Sequence, residues 1–397
     1  MESSELIELL SPEGLRLLDS LPAWTSTDDV LKSVSSLRAA GHSPGLVAAV
    51  LSQSKLRGRA AAKFGPFAER MLFTEAGLEQ ATRLRVAALH AGRFQSAGLA
   101  RVADLGCGIG GDALAMAAID LDVTAVDRDE VTAAIAAYNL APWPNATVLN
   151  AEAVDIGLDR VDGVYLDPAR RTAGHGNTSR LTDPADFSPS LDFAFELAGR
   201  MPTGIKLGPG TDRGLVPDGM EAQWVSVDRE VVELGVWARE LARDGIRRSA
   251  LVLGEHGTAE LNAEADSEDA EVGQLGEFLF EPDGAVIRAR LIGDLARRLG
   301  ARMLSPGIAY LTADLPAGTP FAVCFRVIAS LPFEERAIRK ELAARGIGTL
   351  EIKKRGVDVD PAALRRKLAP KGDGSATLFV TRVAGRHTAL LAERVAF

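Results

Sequence analysis

The 397-residue sequence has few residues of the kinds that define several classes of protein. It has only two cysteines, Cys107 and Cys324, which excludes a disulfide framework and a cysteine-rich metal site. Charged residues interrupt every apolar run well before 18 positions, so we expect no membrane-spanning helix. The first residues are acidic and amphipathic, without the apolar block of a secretory signal. We therefore expect a cytoplasmic protein that binds no metal, does not associate with a membrane and has no evident protein partner.

An overall excess of basic residues is also missing, but the charge is unevenly distributed. The net charge is −9, whereas residues 321–397 contain 15 Lys and Arg against 8 Asp and Glu. Such an asymmetry suggests an anionic partner for the basic part of the chain. A small solvated domain rich in arginine is the alternative.

The hydrophobic pattern divides the chain into four predicted parts. Residues 1–90 have apolar residues at helical spacing and form an N-terminal helical domain. Residues 91–255 alternate short apolar strands with helices, which is typical of a doubly wound parallel sheet. Residues 256–320 form an acidic connector and a helix. Residues 321–397 follow a β-α-β-α-β-β order and form a small α/β domain.

Two stretches between these patterns carry more specific expectations. The segments WVSVDREVVELGVWARE and IRRSALVLGE are predicted to be two neighbouring strands that form an antiparallel hairpin. Residues 255–283 hold ten Asp and Glu and no Lys or Arg, which predicts a surface excursion or a linker. The following GAVIRARLIGDLARRLG is predicted to be one helix.

The most informative motif is VADLGCGIGGDALAMA, at the end of the first strand. Glycine in a strand-to-helix turn lets the backbone approach a ligand and directs helix N–H groups towards anionic atoms. Gly106, Gly108 and Gly110 alone would also suit a dinucleotide. Asp104 precedes the first glycine, however, and the D-x-G-x-G-x-G spacing favours a different cofactor.

This motif resembles the S-adenosylmethionine-binding motif of class I methyltransferases. The resemblance implies a Rossmann-like, seven-stranded core. It also implies roles for acids at successive strand ends: Asp104 near the methionine amino group or orienting the loop, Asp127 on the ribose hydroxyls and Glu152 near the adenine amino group. A strand-end turn is the alternative for each carboxylate taken alone.

The fourth strand ends in Asp167-Pro168-Ala169-Arg170, which resembles part of the Asp/Asn-Pro-Pro-aromatic motif of methyltransferases acting on base amino groups. The resemblance implies that Asp167, followed by Pro168, accepts a hydrogen bond from the acceptor amine. The second proline and the ring are absent. Arg170 or Arg171 is a candidate to stack on a base or hold a phosphate, and pairing with Asp183 or Asp186 is the alternative.

Beyond the core, residues 60–397 resemble bacterial class I methyltransferases with a C-terminal THUMP-like domain, which implies an RNA-modifying enzyme. The segment LFTEAGLEQAT resembles a cofactor lid of cap-guanosine methyltransferases, which implies that Phe73 and Thr74 line the pocket; Thr74 as a helix N-cap is the alternative. The residues expected around the cofactor are Phe73, Thr74, Asp104, Gly106, Cys107, Gly108, Gly110, Asp127, Arg128, Glu152 and Asp167.

Clustered cations in the C-terminal part are candidates for phosphate contacts. They are Lys353, Lys354, Arg355, Arg365 and Arg366, to which Arg171 of the central part is added. We predict an S-adenosylmethionine-dependent methyltransferase acting on a base nitrogen in structured RNA, tRNA or rRNA. A small-molecule or protein methyltransferase, and a cofactor-binding RNA module without turnover, are the alternatives.

Overall fold

The computed structural model describes residues 3–21, 27–170, 187–255 and 257–397, without the side chains of residues 27–32 and 169–170. Arg171, Asp183, Asp186 and His256 lie outside the described residues. The chain divides into two compact units, residues 1–207 with 237–242 and residues 208–236 with 243–397. Among the described residues, no helix is both long enough and apolar enough to cross a membrane.

Six α-helices begin the described part of the first unit, which confirms the predicted helical N-terminus. They are α1 (Ser3–Leu9), α2 (Pro12–Ser20), α3 (Thr27–Ala39), α4 (Pro44–Phe64), α5 (Glu75–Gln80) and α6 (Leu84–Ser96). Ser11 caps α2 by accepting a hydrogen bond from the Gly14 amide, and Ser43 caps α4 in the same way through Leu46. The apolar faces of α1, α2, α4, α5 and α6 join the central strands in one hydrophobic core.

Strands and helices then alternate, as predicted from the hydrophobic pattern. The elements are β1 (Arg101–Leu105), α7 (Gly111–Ala117), β2 (Asp122–Asp127), α8 (Glu130–Leu140), β3 (Ala146–Asn150), β4 (Gly163–Leu166), β5 (Ala169–Arg170), β6 (Phe187–Ser188), α9 (Leu191–Arg200) and β7 (Thr203–Leu207). β1, β2, β3, β4 and β7 are parallel, in the spatial order β3-β2-β1-β4-β7. Because parallel strands end at the same edge, the residues after them are brought together there. β5 and β6 form a separate antiparallel pair.

Four strands follow, β8 (Glu221–Val227), β9 (Glu230–Ala238), β10 (Arg248–Gly254) and β11 (Gly257–Ala263); all lie in the second unit except the last two residues of β9. The strand order continues from β7 through β9, β8 and β10 to β11, so the sheet has nine strands, two more than the expected seven. The class I core is present as β3-β2-β1-β4-β7-β9-β8.

Two expectations about this region were wrong. The stretch from Trp224 to Glu240 contains a hairpin of its own, because Asp228 and Arg229 both have positive φ and form a two-residue turn between β8 and β9. β10 consequently pairs with β8 in parallel, not antiparallel. The acidic stretch is no mere linker, since it contains β11, which pairs with β10. β11 holds only one of the ten acids, Glu260, which pairs with Arg243 and accepts a hydrogen bond from Ser249. Most of the other acids lie outside the strands, and they gave the stretch the composition of a linker.

The rest of the second unit forms a seven-stranded sheet with helices. Its elements are β12 (Phe278–Pro282), α10 (Gly284–Arg288), α11 (Ile292–Leu299), β13 (Arg302–Met303), β14 (Leu311–Ala313), β15 (Ala322–Pro332), α12 (Glu335–Ala344), β16 (Ile347–Lys354), α13 (Pro361–Leu368), β17 (Gly374–Val383) and β18 (Arg386–Arg394). The strand order is β13-β14-β12-β15-β18-β17-β16. The predicted single helix after the acidic stretch is two, α10 and α11, because Arg290 between them has a φ of 60°.

The predicted β-α-β-α-β-β order of the C-terminal part is confirmed as β15-α12-β16-α13-β17-β18. Alternate residues of β17 enter two different cores, as the period of a strand requires. Leu378 and Val380 pack with α12 and α13 on one face, and Phe379 packs with Phe325 on the other.

Candidate active site

The glycine-rich loop between β1 and α7 forms the centre of the site. Gly106, Gly108 and Gly110 have φ values of 90°, 55° and 84°, a region that side chains disfavour. The amides of Gly106 and Cys107 donate to the carbonyl of Val126, at 2.8 and 2.9 Å, which ties the loop to the end of β2. The motif therefore consists of glycines that the backbone conformation itself requires.

Asp127, at the end of β2, supports this loop. Its carboxylate accepts hydrogen bonds from the Gly108 amide at 3.0 Å and from the Asp129 amide at 2.9 Å. Burial raises the pKa of Asp127, although these two amides work against the shift. Each carboxylate oxygen can accept a further hydrogen bond, so the group can also bind hydroxyl donors.

Asp104 is the most unusual polar residue of the site. It is 1% exposed, and neither carboxylate oxygen has a hydrogen-bond partner among the described residues. Burial, together with the charges of Asp112, Asp167 and Asp127, raises the pKa of Asp104 well above its usual range. A buried carboxylate without donors is costly, and a ligand that brings an ammonium or N–H group would offset that cost. The site thus fits a cofactor with a cationic amino-acid end.

Beside the loop lies a buried polar cluster that the sequence did not indicate. Asp112 in the first turn of α7 accepts a hydrogen bond from Thr82, and His90 Nδ1 lies 2.8 Å from its carboxylate and 3.0 Å from the hydroxyl of Tyr165. Burial opposes ionisation of Asp112, but the contacts with His90, Lys206 and Thr82 outweigh it, so its pKa lies below the usual range. In the sequence, His90 was one of five scattered histidines, and only its position on the buried face of α6 distinguishes it.

Asp167 follows β4 and pairs with a residue on the neighbouring strand. Its Oδ2 lies 2.5 Å from Nζ of Lys206 on β7, and Pro168 is buried. The Asp167 carbonyl lies 3.5 Å from the position a Cβ would take at Gly106, so the end of β4 is beside the loop. Two neighbouring parallel strands thus bring a lysine and an aspartate together at the site.

The other predicted cofactor residues fall into two groups. Glu152 and Arg128 are exposed at the ends of β3 and β2, with Arg128 Nη1 4.0 Å from Glu152 Oε1. Phe73 is fully buried against Phe64, and Thr74 caps α5 by accepting a hydrogen bond from the Gly77 amide at 2.9 Å. The capping interpretation of Thr74 is therefore confirmed.

Cys107 is not activated in this loop. Its side chain is 9% exposed, and burial, with the charges of Asp104 and Asp127, raises its pKa well above the usual range. A thiol in such surroundings is a poor nucleophile. Across the described part of the chain, no group of His, Cys, Asp and Glu is arranged to hold a metal ion.

The predicted cations of the second unit differ in their surroundings. Lys353 lies 2.7 Å from Glu281 and 3.3 Å from Glu351, and Arg355 stacks over Tyr310 while donating to the Ala309 carbonyl. Lys354, Arg365 and Arg366 are exposed, the last two on α13. Lys353 and Arg355 thus take part in the packing of the domain itself.

The doubly wound sheet and the strand-end loop define a class I methyltransferase core. Family models match the two ends of the chain: a THUMP domain-like family matches residues 322–394, and a domain of unknown function matches residues 3–60. A crystal structure of a candidate methyltransferase from Porphyromonas gingivalis W83 has the same fold, with a TM-score of 0.72 and 21% identity over 94% of this chain and all of that one.

Two Mycobacterium tuberculosis proteins, from strains CDC 1551 / Oshkosh and ATCC 25618 / H37Rv, are similar along most of their length. Each is described as an uncharacterised S-adenosylmethionine-dependent methyltransferase and is 34% identical over 83% of this chain and 90% of its own. The chain therefore belongs to the S-adenosylmethionine-dependent methyltransferases, in a group that carries a C-terminal THUMP-like domain. Its cofactor is S-adenosylmethionine.

Proposed function

We propose that this enzyme methylates a base nitrogen in structured RNA, with tRNA and rRNA as the substrates to test. The observation that carries the proposal is the joint presence of Asp167-Pro168 beside the cofactor loop and a THUMP-like domain at residues 322–394. An amine-accepting carboxylate favours a nitrogen acceptor, and a separate basic domain favours a polyanion.

The cofactor is held, in this proposal, by the acids and glycines of the first unit. Asp104 binds the methionine amino group, which would supply the donors that its oxygens lack among the described residues. Asp127 binds the ribose hydroxyls while its amide contacts keep the loop in shape. Glu152 and Arg128, both exposed, flank the adenine. Phe73 and Thr74 contribute indirectly, because they fix the segment that precedes β1.

Asp167 acts on the acceptor. The sulfonium of the bound cofactor supplies a methyl group that is already electrophilic, so alignment of the nucleophile is the main task of the protein. Asp167 accepts a hydrogen bond from the exocyclic amine. It takes up the proton of that amine as the N–C bond forms and the S–CH3 bond breaks, which leaves S-adenosylhomocysteine. Pro168 fixes the backbone after it. Arg170, and Arg171 outside the described residues, are candidate substrate contacts.

The RNA surface in this proposal lies on the helical side of the THUMP-like domain. Arg365 and Arg366 project from α13, and Lys354 ends the neighbouring strand β16, all three exposed. Lys353 and Arg355, which the sequence also suggested, have carboxylate, carbonyl and aromatic partners inside the domain. The exposed cations are the stronger candidates because phosphate contacts need accessible charge.

Nucleoside mass mapping of RNA from cells with and without the gene tests the proposal. We expect one methylated nucleoside to disappear without the gene, and transfer of labelled methyl from S-adenosylmethionine to restore it in RNA from the deletion strain. Transfer to metabolites or protein in place of RNA would support a small-molecule or protein methyltransferase. Cofactor binding with no transfer to any of the three would support an RNA module without turnover.

A further inference from the structure

Lys206 pairs with Asp167 in the candidate active site. β4 and β7 are adjacent and parallel, with Leu166 opposite Ile205, so Asp167 and Lys206 occupy the next position of each strand. Their charged atoms are 2.5 Å apart, and the Lys206 side chain is 12% exposed against 33% for Asp167. A charge-assisted contact of this length fixes the direction of the carboxylate as well as its charge.

Lys206 is itself fixed by the segment that precedes β1. Its Nζ donates to the carbonyl of Gln80, the last residue of α5, at 3.0 Å. The neighbouring carbonyls of Leu78, Glu79 and Ala81 all accept from Lys63 of α4, at 2.7–2.8 Å. Two lysines from distant elements therefore satisfy the four carbonyls that the end of this short helix leaves without partners.

The carboxylates around Lys206 explain why a positively charged side chain is favourable at this position. Burial raises the pKa of Asp104 on β1, and the charges of Asp112 on α7, Asp167 after β4 and Asp127 on β2 raise it further. Lys206 opposes that rise and also lowers the pKa of Asp112. It thereby favours the ionised form of these two carboxylates.

We propose that Lys206 is a positioning residue for Asp167, and that the Gln80 carbonyl and Lys63 anchor it to the N-terminal helices. Lys206 holds the carboxylate so that it receives the acceptor amine in line with the methyl group. The inference rests on the proposed function, because it assigns Lys206 a task only if Asp167 contacts the acceptor. It gives the N-terminal helical region a part in catalysis, through α4 and α5.

The test compares Lys206→Met, Lys206→Arg and Asp167→Ala in the full-length enzyme, with Arg200→Met as the control. Arg200 is an exposed cation that pairs with Glu196, one turn away on α9. The substrate is total RNA from the deletion strain with labelled S-adenosylmethionine, and calorimetry measures cofactor affinity. We expect Lys206→Met to lower kcat by about 100-fold, the effect of misplacing a reacting group by about 1 Å. Cofactor affinity should change little, and Lys206→Arg should restore most of kcat.

Crystal structures of the wild type and Lys206→Met with S-adenosylhomocysteine give a readout that needs no turnover. The Asp167 carboxylate should shift by more than about 0.5 Å, the tolerance of catalytic groups, when Lys206 is removed. An unmoved carboxylate, or full kcat in Lys206→Met, would overturn the inference. Full activity of Asp167→Ala, or a wild type inactive on RNA, would instead refute the proposed function, and the crystallographic comparison would still decide whether Lys206 positions Asp167.

Discussion

At the scale of single residues, Asp127 holds the glycine-rich loop and, in our proposal, also binds the ribose, so one substitution tests both roles. Asp127→Ala removes an acceptor from the Gly108 and Asp129 amides and, in our proposal, from the ribose. Hydrogen bonds to a charged group contribute about 1.5–3 kcal/mol, so cofactor Kd should rise by roughly 10- to 100-fold. Calorimetry measures this, with the exposed Asp155→Ala as the control. A Kd within twofold of the wild type would mean that the ribose contact is misassigned.

Replacing Asp104 should raise the stability of the cofactor-free protein and weaken the binding of the cofactor. Its pKa is raised in the folded protein, so the folded state binds more protons than the unfolded state, and stability falls as pH rises above the unfolded value. Asp104→Asn should therefore raise Tm of the cofactor-free protein at neutral pH, with the gain shrinking towards acidic pH, where Asp104 is protonated.

The same variant should bind S-adenosylmethionine more weakly, because an amide cannot balance the charge of the amino group. Thermal unfolding from pH 4 to 8, with and without cofactor, measures both effects. A lower Tm at neutral pH for Asp104→Asn would contradict the account of its burial.

At the scale of elements, α4 holds the segment before β1 through side chains spaced along one face. Gln53 donates to the Phe73 carbonyl at 2.6 Å and accepts from the Phe73 amide at 3.0 Å, while Arg57 donates to Met71 and Lys63 to the end of α5. Asn139 of α8 adds contacts to Leu72 and to the Ile109 carbonyl of the glycine-rich loop. The segment is thus tied to helices on one side and to the cofactor loop on the other.

Gln53→Leu tests this arrangement. The substitution keeps the volume but leaves two buried backbone groups of Phe73 without partners, each costing about 1–3 kcal/mol. We expect the free energy of unfolding of the first unit to fall by about 2–6 kcal/mol, measured by urea denaturation. Gln95→Leu is the matched control, since Gln95 is exposed and donates to Ile119 in a 3.2 Å contact. An equal loss of unfolding free energy in both variants would show that the Phe73 contacts stabilise the protein no more than the Gln95 contact does.

At the scale of the whole molecule, the chain combines a methyltransferase core with a domain whose basic residues are only partly available. The prediction concerns Arg365→Glu with Arg366→Glu in the full-length protein. Each lost phosphate contact should lower the salt dependence of RNA binding by about one unit of slope, with weaker affinity for all RNA sequences alike. Filter binding across a salt series measures this.

The control for that experiment is Lys55→Glu with Arg200→Glu, which makes the same charge change at exposed positions of the first unit. Equal weakening in the two double variants would mean that net charge, not the surface of α13, governs RNA affinity. Reversal of Lys353 is expected to lower stability instead, because its partners Glu281 and Glu351 would face a like charge.

The sequence by itself determined the features encoded in contiguous residues: the alternation of strands and helices, the glycines of the loop, the acid at each strand end and the element order of the THUMP-like domain. These follow from periodicity and from backbone conformations that only glycine adopts easily. Prediction from the sequence was wrong where one short run contained two strands, and where the surrounding acidic residues made the β11 region resemble a linker.

Only the tertiary structure decided which distant residues meet. The pairing of Lys206 with Asp167, of Gln53 with Phe73, and of Lys353 with Glu281 joins positions 39, 20 and 72 residues apart. Such contacts depend on strand order and on how helices lie against the sheet, which no local pattern specifies. For the same reason, the roles of Lys206 and of the cations on β16 could not be distinguished until the chain was folded.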